Sequence, residues 1–98
     1  MLVVVGDGRL AKDPEVKVFG RENKTLVEFP IVSDGRFGSE NSTYIKCTMF
    51  NRDENFAQYL HQGDQVFIKG YLNINKGSDG NYYTSLIVDE LVFGAKKQ

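Results

Sequence analysis

Tyr44-Ile45-Lys46-Cys47-Thr48-Met49-Phe50 decides how the rest of this chain is read. Apolar and polar types alternate, as on a strand whose successive side chains point to opposite faces. One face carries Ile45, Cys47 and Met49, a row suited to a core. The other carries Tyr44, Lys46, Thr48 and Phe50. A solvent face is normally charged and polar throughout. This one sets two large flat rings beside a cation and a hydroxyl, the combination that stacks bases and holds phosphates.

Strand signals dominate outward from this stretch. Leu2 to Val5 is a β-branched run ending at Gly6, and Val16 to Phe19 resumes extended structure after Asp13-Pro14. Leu26 to Ser33 alternates, with Val27, Phe29 and Ile31 on one side. Gln65 to Asn75 places Val66, Ile68, Leu72 and Ile74 on one face, and Asn81 to Phe93 is the last strand. Turn clusters separate them at residues 20–23, 34–42 and 77–80. Pro30 removes a ladder donor in mid-strand, so an edge or bulge is expected there. Only Asp53 to Leu60 reads as helix, with Phe56 and Leu60 on one face, His61 in the last turn and Gly63 as the stop. Three strands, a short helix and two strands make the order of an all-β, five-stranded OB-fold Greek-key barrel with its α-helix between strands 3 and 4. An SH3-like barrel gives no reason for that helix.

The 98 residues make one domain, expected over residues 1–94 with a short tail at 95–98. Hydrophobic content of 41% and charged content of 26% are those of a folded globular chain. No apolar run approaches the roughly 20 residues of a membrane helix, and no signal peptide is expected after Met1. The net charge is −1 and the pI is near 5.8. Nucleic-acid binders often exceed a pI of about 9, so any such function must rest on where twelve cations sit.

Catalytic constellations are nearly absent. One Cys and one His cannot build a His/Cys metal cluster within a monomer, and no cofactor motif is evident. Gly6-Asp7-Gly8 lacks the Gly-Lys-Ser/Thr of a phosphate loop and reads as a bend in the first strand. Cys47 reads as a buried thiol, and the chain is not expected to be an enzyme. Rings are more informative. Besides Tyr44 and Phe50, Tyr71 lies on the outer face of the fourth strand with Phe67, Lys69, Asn73 and Asn75. Phe37 sits in the polar loop Asp34 to Gly38, where an apolar ring calls for a partner. Tyr82 and Tyr83 alternate, so one of them at most faces this groove. Phe29 and Phe56 belong to the core, and Phe93 to the core or to a contact between subunits. Arg9, Lys12, Lys17, Arg36, Lys46, Lys69 and Lys76 are the cations near these rings, placed to track a phosphate backbone.

With these residues assembled, the chain resembles bacterial and phage single-stranded DNA-binding proteins of the OB-fold type. The resemblance runs from Val3 to about Phe93. It rests on Val4-Val5-Gly6 with Arg9-Leu10, on Asp13-Pro14-Glu15-Val16, on Tyr44 to Phe50, and on Tyr59 to Gly70. It implies stacking by Tyr44 and Phe50, a backbone contact from Lys46, and a further stacking ring near Phe37. It also implies sequence-tolerant binding of single-stranded DNA in replication, recombination or repair by a homodimer or homotetramer. The expected place is the cytoplasm of a bacterial cell, or of a host if the chain is phage-encoded. The family's tryptophans are missing, and Gly77 stands where many members carry a hairpin aromatic. In place of a long tail with an acidic tip the chain ends in Lys96-Lys97-Gln98, so a short form, or one whose tail has been removed, is expected. The same surface would also suit an RNA-binding domain, or a primosome-type interaction module whose rings contact subunits.

Overall fold

The computed structural model of the chain describes residues 1–35 and 38–94. Its elements follow as β1 (Val3–Leu10), β2 (Glu15–Phe19), β3 (Lys24–Gly35), β4 (Gly38–Phe50), α1 (Glu54–Ala57), β5 (Gln65–Lys76) and β6 (Tyr82–Phe93). The first of the five expected strands is thus two pieces. Asp13-Pro14 separates them, because proline supplies no N–H to continue a ladder. Hydrogen-bonded neighbours run β1-β5-β6-β4-β3-β2, and β1 also pairs with β3, closing the sheet on itself. Among the described residues only β4 and β6 pair in parallel. This is the five-stranded Greek-key barrel that the order of elements predicts.

Closure depends on two close approaches of backbone. β1 pairs with β5 from Val3 to Arg9 and with β3 through Arg9 and Leu10. At that handover a Cβ on Gly8 would lie 2.8 Å from the Val32 carbonyl oxygen, and Gly6-Asp7-Gly8 continues β1 in register with β5, without the expected bend or bulge. The second approach is the bulge between Lys69 and Gly70, where a Cβ on Gly70 would overlap the Ile87 carbonyl. Both glycines let one strand leave its neighbour and curl, which a barrel requires.

Pro30 causes no bulge in its pairing with Lys46 on β4; the shift there falls between Ser33 and Gly35. On the other side of β3, β2 reaches only Glu28, and β1 begins at Ile31. The Pro30 carbonyl faces this gap and accepts from the Ala11 N–H at 2.9 Å. Its missing N–H points the same way, since a strand residue aims both groups at one neighbour. The proline sits where the sheet asks for no donor.

The core holds Val27, Phe29 and Ile31 from β3, Cys47 and Met49 from β4, and Val66, Ile68, Leu86 and Val88 from β5 and β6. Ile45 and Phe56 pack against it partly buried. Three expectations need correction. Most of residues 34–42, read as a turn cluster, is strand: Gly35 ends β3 and Gly38 opens β4. The helix is a single turn: Asp53 caps it by accepting from the Asn55 N–H at 3.0 Å, and it ends at Ala57. Beyond it Tyr59 and Leu60 donate to carbonyls three residues back, a tighter winding that drives Leu60 into the barrel mouth. His61 therefore lies outside the helix, beside the buried Asp64 carboxylate at 3.6 Å. Ile74 is 56% exposed and not core. Among the described residues, β5 past Leu72 and β6 before Ser85 pair only with each other, as a hairpin beyond the closed part of the sheet.

Candidate nucleic-acid interface

Register decides which side chains meet. Directly opposed residues on paired strands share a face. Arg9 of β1 opposes Val32, which opposes Tyr44. The next row is Pro30, Lys46 and Ser85, followed by Glu28, Thr48, Ile87 and Tyr71. Lys17, Leu26 and Phe50 form a fourth. Six of the residues singled out in the sequence, Arg9, Lys17, Tyr44, Lys46, Phe50 and Tyr71, thus fall on one outer surface whose rows cross all six strands. Tyr44 is 61% exposed and Phe50 42%, while Tyr71 is half-buried. Phe50 meets the ring of Phe19 edge-on at 5.3 Å, a neighbour that the sequence reading did not include in the site. Thr48 corrects another expectation. It is only 7% exposed, and Leu26 and Ile87 of this face are buried as well. The surface has a packed apolar floor, and rings and cations rise above it.

Charge is arranged closely around that floor. Glu28 accepts from Lys17 at 2.9 Å and from Lys46 at 3.1 Å, both at Oε2. Burial works to raise the Glu28 carboxyl, but the hydrogen bonds from Lys17 and Lys46 outweigh it and hold it below its ordinary value. The same bond, with the carboxylate charge, raises Lys17. Beside Tyr44 a cleft of 300 Å³ is lined by Lys12, Lys17 and Lys46 and by Asp13, Glu15 and Glu28. Three cations face three carboxylates, so the cleft is polar but close to neutral. Arg9 spends one bond on the Gly63 carbonyl, 3.0 Å from Nη1.

Other expected site residues lie elsewhere. Lys69 falls in a row with Val5 and Glu90, next to the exposed Phe67 and Val92. Lys76 opposes Tyr82 at the end of the β5–β6 hairpin. Arg36 and Phe37 lie outside the described residues. Tyr83, left undecided in the sequence, is the one the register favours. It opposes Asn75, and it stands two residues before Ser85 as Tyr44 stands two before Lys46 on the parallel neighbour. Its ring fills the space that a Cβ on Gly77 would take, and its hydroxyl donates to Asp79 Oδ2. That bond, helped by the Asn81 N–H, holds the Asp79 carboxyl below its ordinary value. Among the described residues no group of His, Cys, Asp and Glu could hold a metal ion, and no helix is long and apolar enough to cross a membrane.

Comparison of the sequence with known proteins points to one family. A single-stranded DNA-binding protein of Fusobacterium nucleatum is 32% identical over 99% of this chain and 69% of its own length. One from Clostridium perfringens is 32% identical over 92% of the chain and 63% of its length, and one from Clostridium tetani 30% over 92% and 68%. The chain therefore spans about two thirds of the length of these relatives. The family model described as the Single-strand binding protein family matches residues 1–93. With that span and those identities, the chain belongs to the single-strand binding protein family.

Proposed function

We propose that this chain binds single-stranded DNA without catalysis and with little sequence preference, holding it unpaired during replication, recombination or repair. Family membership supports the substrate class. The observation that carries the mechanism is the single outer surface on which the Tyr44, Phe50 and Tyr71 rings stand among Arg9, Lys17 and Lys46. Each base has a flat π-face, so stacking on such rings contributes about 1–3 kcal/mol per base whatever the sequence. A duplex keeps those faces stacked on each other and offers only its phosphates, for which a chain of net charge −1 has little attraction.

Titration of the full chain with a single strand of about 30 nucleotides, its duplex and the RNA equivalent tests this, followed by intrinsic tyrosine fluorescence. Quenching and tighter binding of the DNA single strand are expected. Equal affinity for the duplex would overturn the proposal, and a preference for RNA would reassign the substrate. We further propose that the chain assembles as a homodimer or homotetramer. The exposed Val5, Phe67 and Val92 on the β1–β5–β6 face support this, being an apolar patch that a monomer would leave wet. Light scattering should give a multiple of 11.1 kDa. A monomer at micromolar concentration would remove that part of the reading.

A further inference from the structure

We propose that Glu28 is an internal competitor for phosphate on the single-strand surface, occupying Lys17 and Lys46 until a DNA phosphate replaces it. The inference rests on the single-strand-binding reading and adds to it what sets its strength. Glu28 lies in the middle of the surface, in the row between Lys46 and the Lys17–Phe50 row. Its side chain is only 17% exposed, whereas those of Lys17 and Lys46 are 48% and 53% exposed. The carboxylate is thus held in place, and the two ammonium groups stand at the solvent edge where a backbone would pass.

Both lysines converge on Oε2, at 2.9 and 3.1 Å. An ammonium is a compact point charge with no planar fork to match, so it exchanges one anionic oxygen for another readily. A phosphate oxygen arriving beside Tyr44 meets two cations already neutralised in part by one fixed negative charge. As a structural staple across β2, β3 and β4 the trio would do little, because half-exposed ion pairs contribute little to folding. As a competitor it cancels one of the positive charges that Lys12, Lys17 and Lys46 offer the strand, beside the more exposed carboxylates of Asp13 and Glu15. The result is binding that leans on the rings and responds weakly to salt.

Full-length wild type, Glu28→Gln and a control, Glu22→Gln, are titrated with an oligothymidylate of about 30 nucleotides at several salt concentrations. Glu22 pairs with Lys24 in the exposed β2–β3 turn, so its loss changes net charge equally but away from the surface. Glu28→Gln is expected to bind roughly three- to tenfold tighter at low salt, with a log–log salt slope steeper by about 0.7, one more phosphate's worth on a single strand. Glu22→Gln should keep the wild-type slope. Unchanged or weaker binding by Glu28→Gln, or an equal gain in Glu22→Gln, overturns the proposal. Should Glu28→Gln fail to fold, the wild type decides by NMR. The Glu28 Cδ shift moves toward that of an unpaired carboxylate on adding the oligonucleotide if phosphate takes the lysines, and a stationary shift overturns the idea. A wild type that binds no single strand would instead remove the underlying reading, and this inference with it.

Discussion

Tyr44 and Phe50 bracket the same strand but answer to different forces. Tyr44 stands clear of the barrel at 61% exposure, so Tyr44→Ala should weaken single-strand binding by about 1–3 kcal/mol and leave the melting temperature nearly unchanged. Phe50 also packs edge-on against Phe19 and opposes the buried Leu26. Phe50→Ala should therefore lower both affinity and thermal stability; calorimetry beside the titration separates the two. Unchanged affinity in both variants would take stacking away from this strand. Cys47 makes a cleaner case. Burial pushes its thiol up to about 12, so at pH 8 native protein should resist iodoacetamide while unfolded protein is alkylated fully, as mass spectrometry will show. For Glu28 the folded-state carboxyl is lowered beneath its ordinary 4.5. Its contribution to stability is then complete above that value and is lost as pH falls through the lower folded one. Within a family of melts from pH 7 to 3, the Glu28→Gln variant should lose less stability than wild type.

At the scale of elements, alternation in the sequence placed β3, β4, β5 and β6 and most of their inner faces. It worked because each has a wet and a dry side, and a period of two records which is which. It overextended α1, since the i to i+4 pair Phe56 and Leu60 suits a helix as well as the tighter turn that forms. Burying Leu60 in the barrel mouth, worth about 1.5–3 kcal/mol, outweighs another turn of helix. Gly70 illustrates a constraint of another kind. Its place in the pattern looks ordinary, yet an added Cβ would overlap backbone on β6, which no rotamer change relieves. Gly70→Ala should unfold the chain or lower its melting temperature by many degrees, whereas at Gly6, where an added Cβ meets nothing within 4 Å, alanine should be tolerated. Comparable melts for the two variants would contradict this account of barrel closure.

For the whole molecule, a net charge of −1 with Arg9, Lys17 and Lys46 gathered on one face predicts modest electrostatics. At about −0.7 per phosphate, the log–log salt slope for a single strand should lie near −2 or shallower per chain; a slope several times steeper would mean that stacking is not the main term. The sequence by itself determined the strand-rich class, the core rows and the outward rings of Tyr44, Phe50 and Tyr71, because these are local properties of a two-residue period. Only the tertiary structure decided which rings and charges become neighbours. The parallel β4–β6 pairing brings Tyr71 and Tyr83 toward Tyr44, and the bulge at Gly70 resets the β5–β6 register behind them. Lys17, Glu28 and Lys46 converge from three strands that sequence distance keeps apart. Alternation says which way a side chain points, but register between strands says what it meets, and register is fixed by closure of the barrel as a whole.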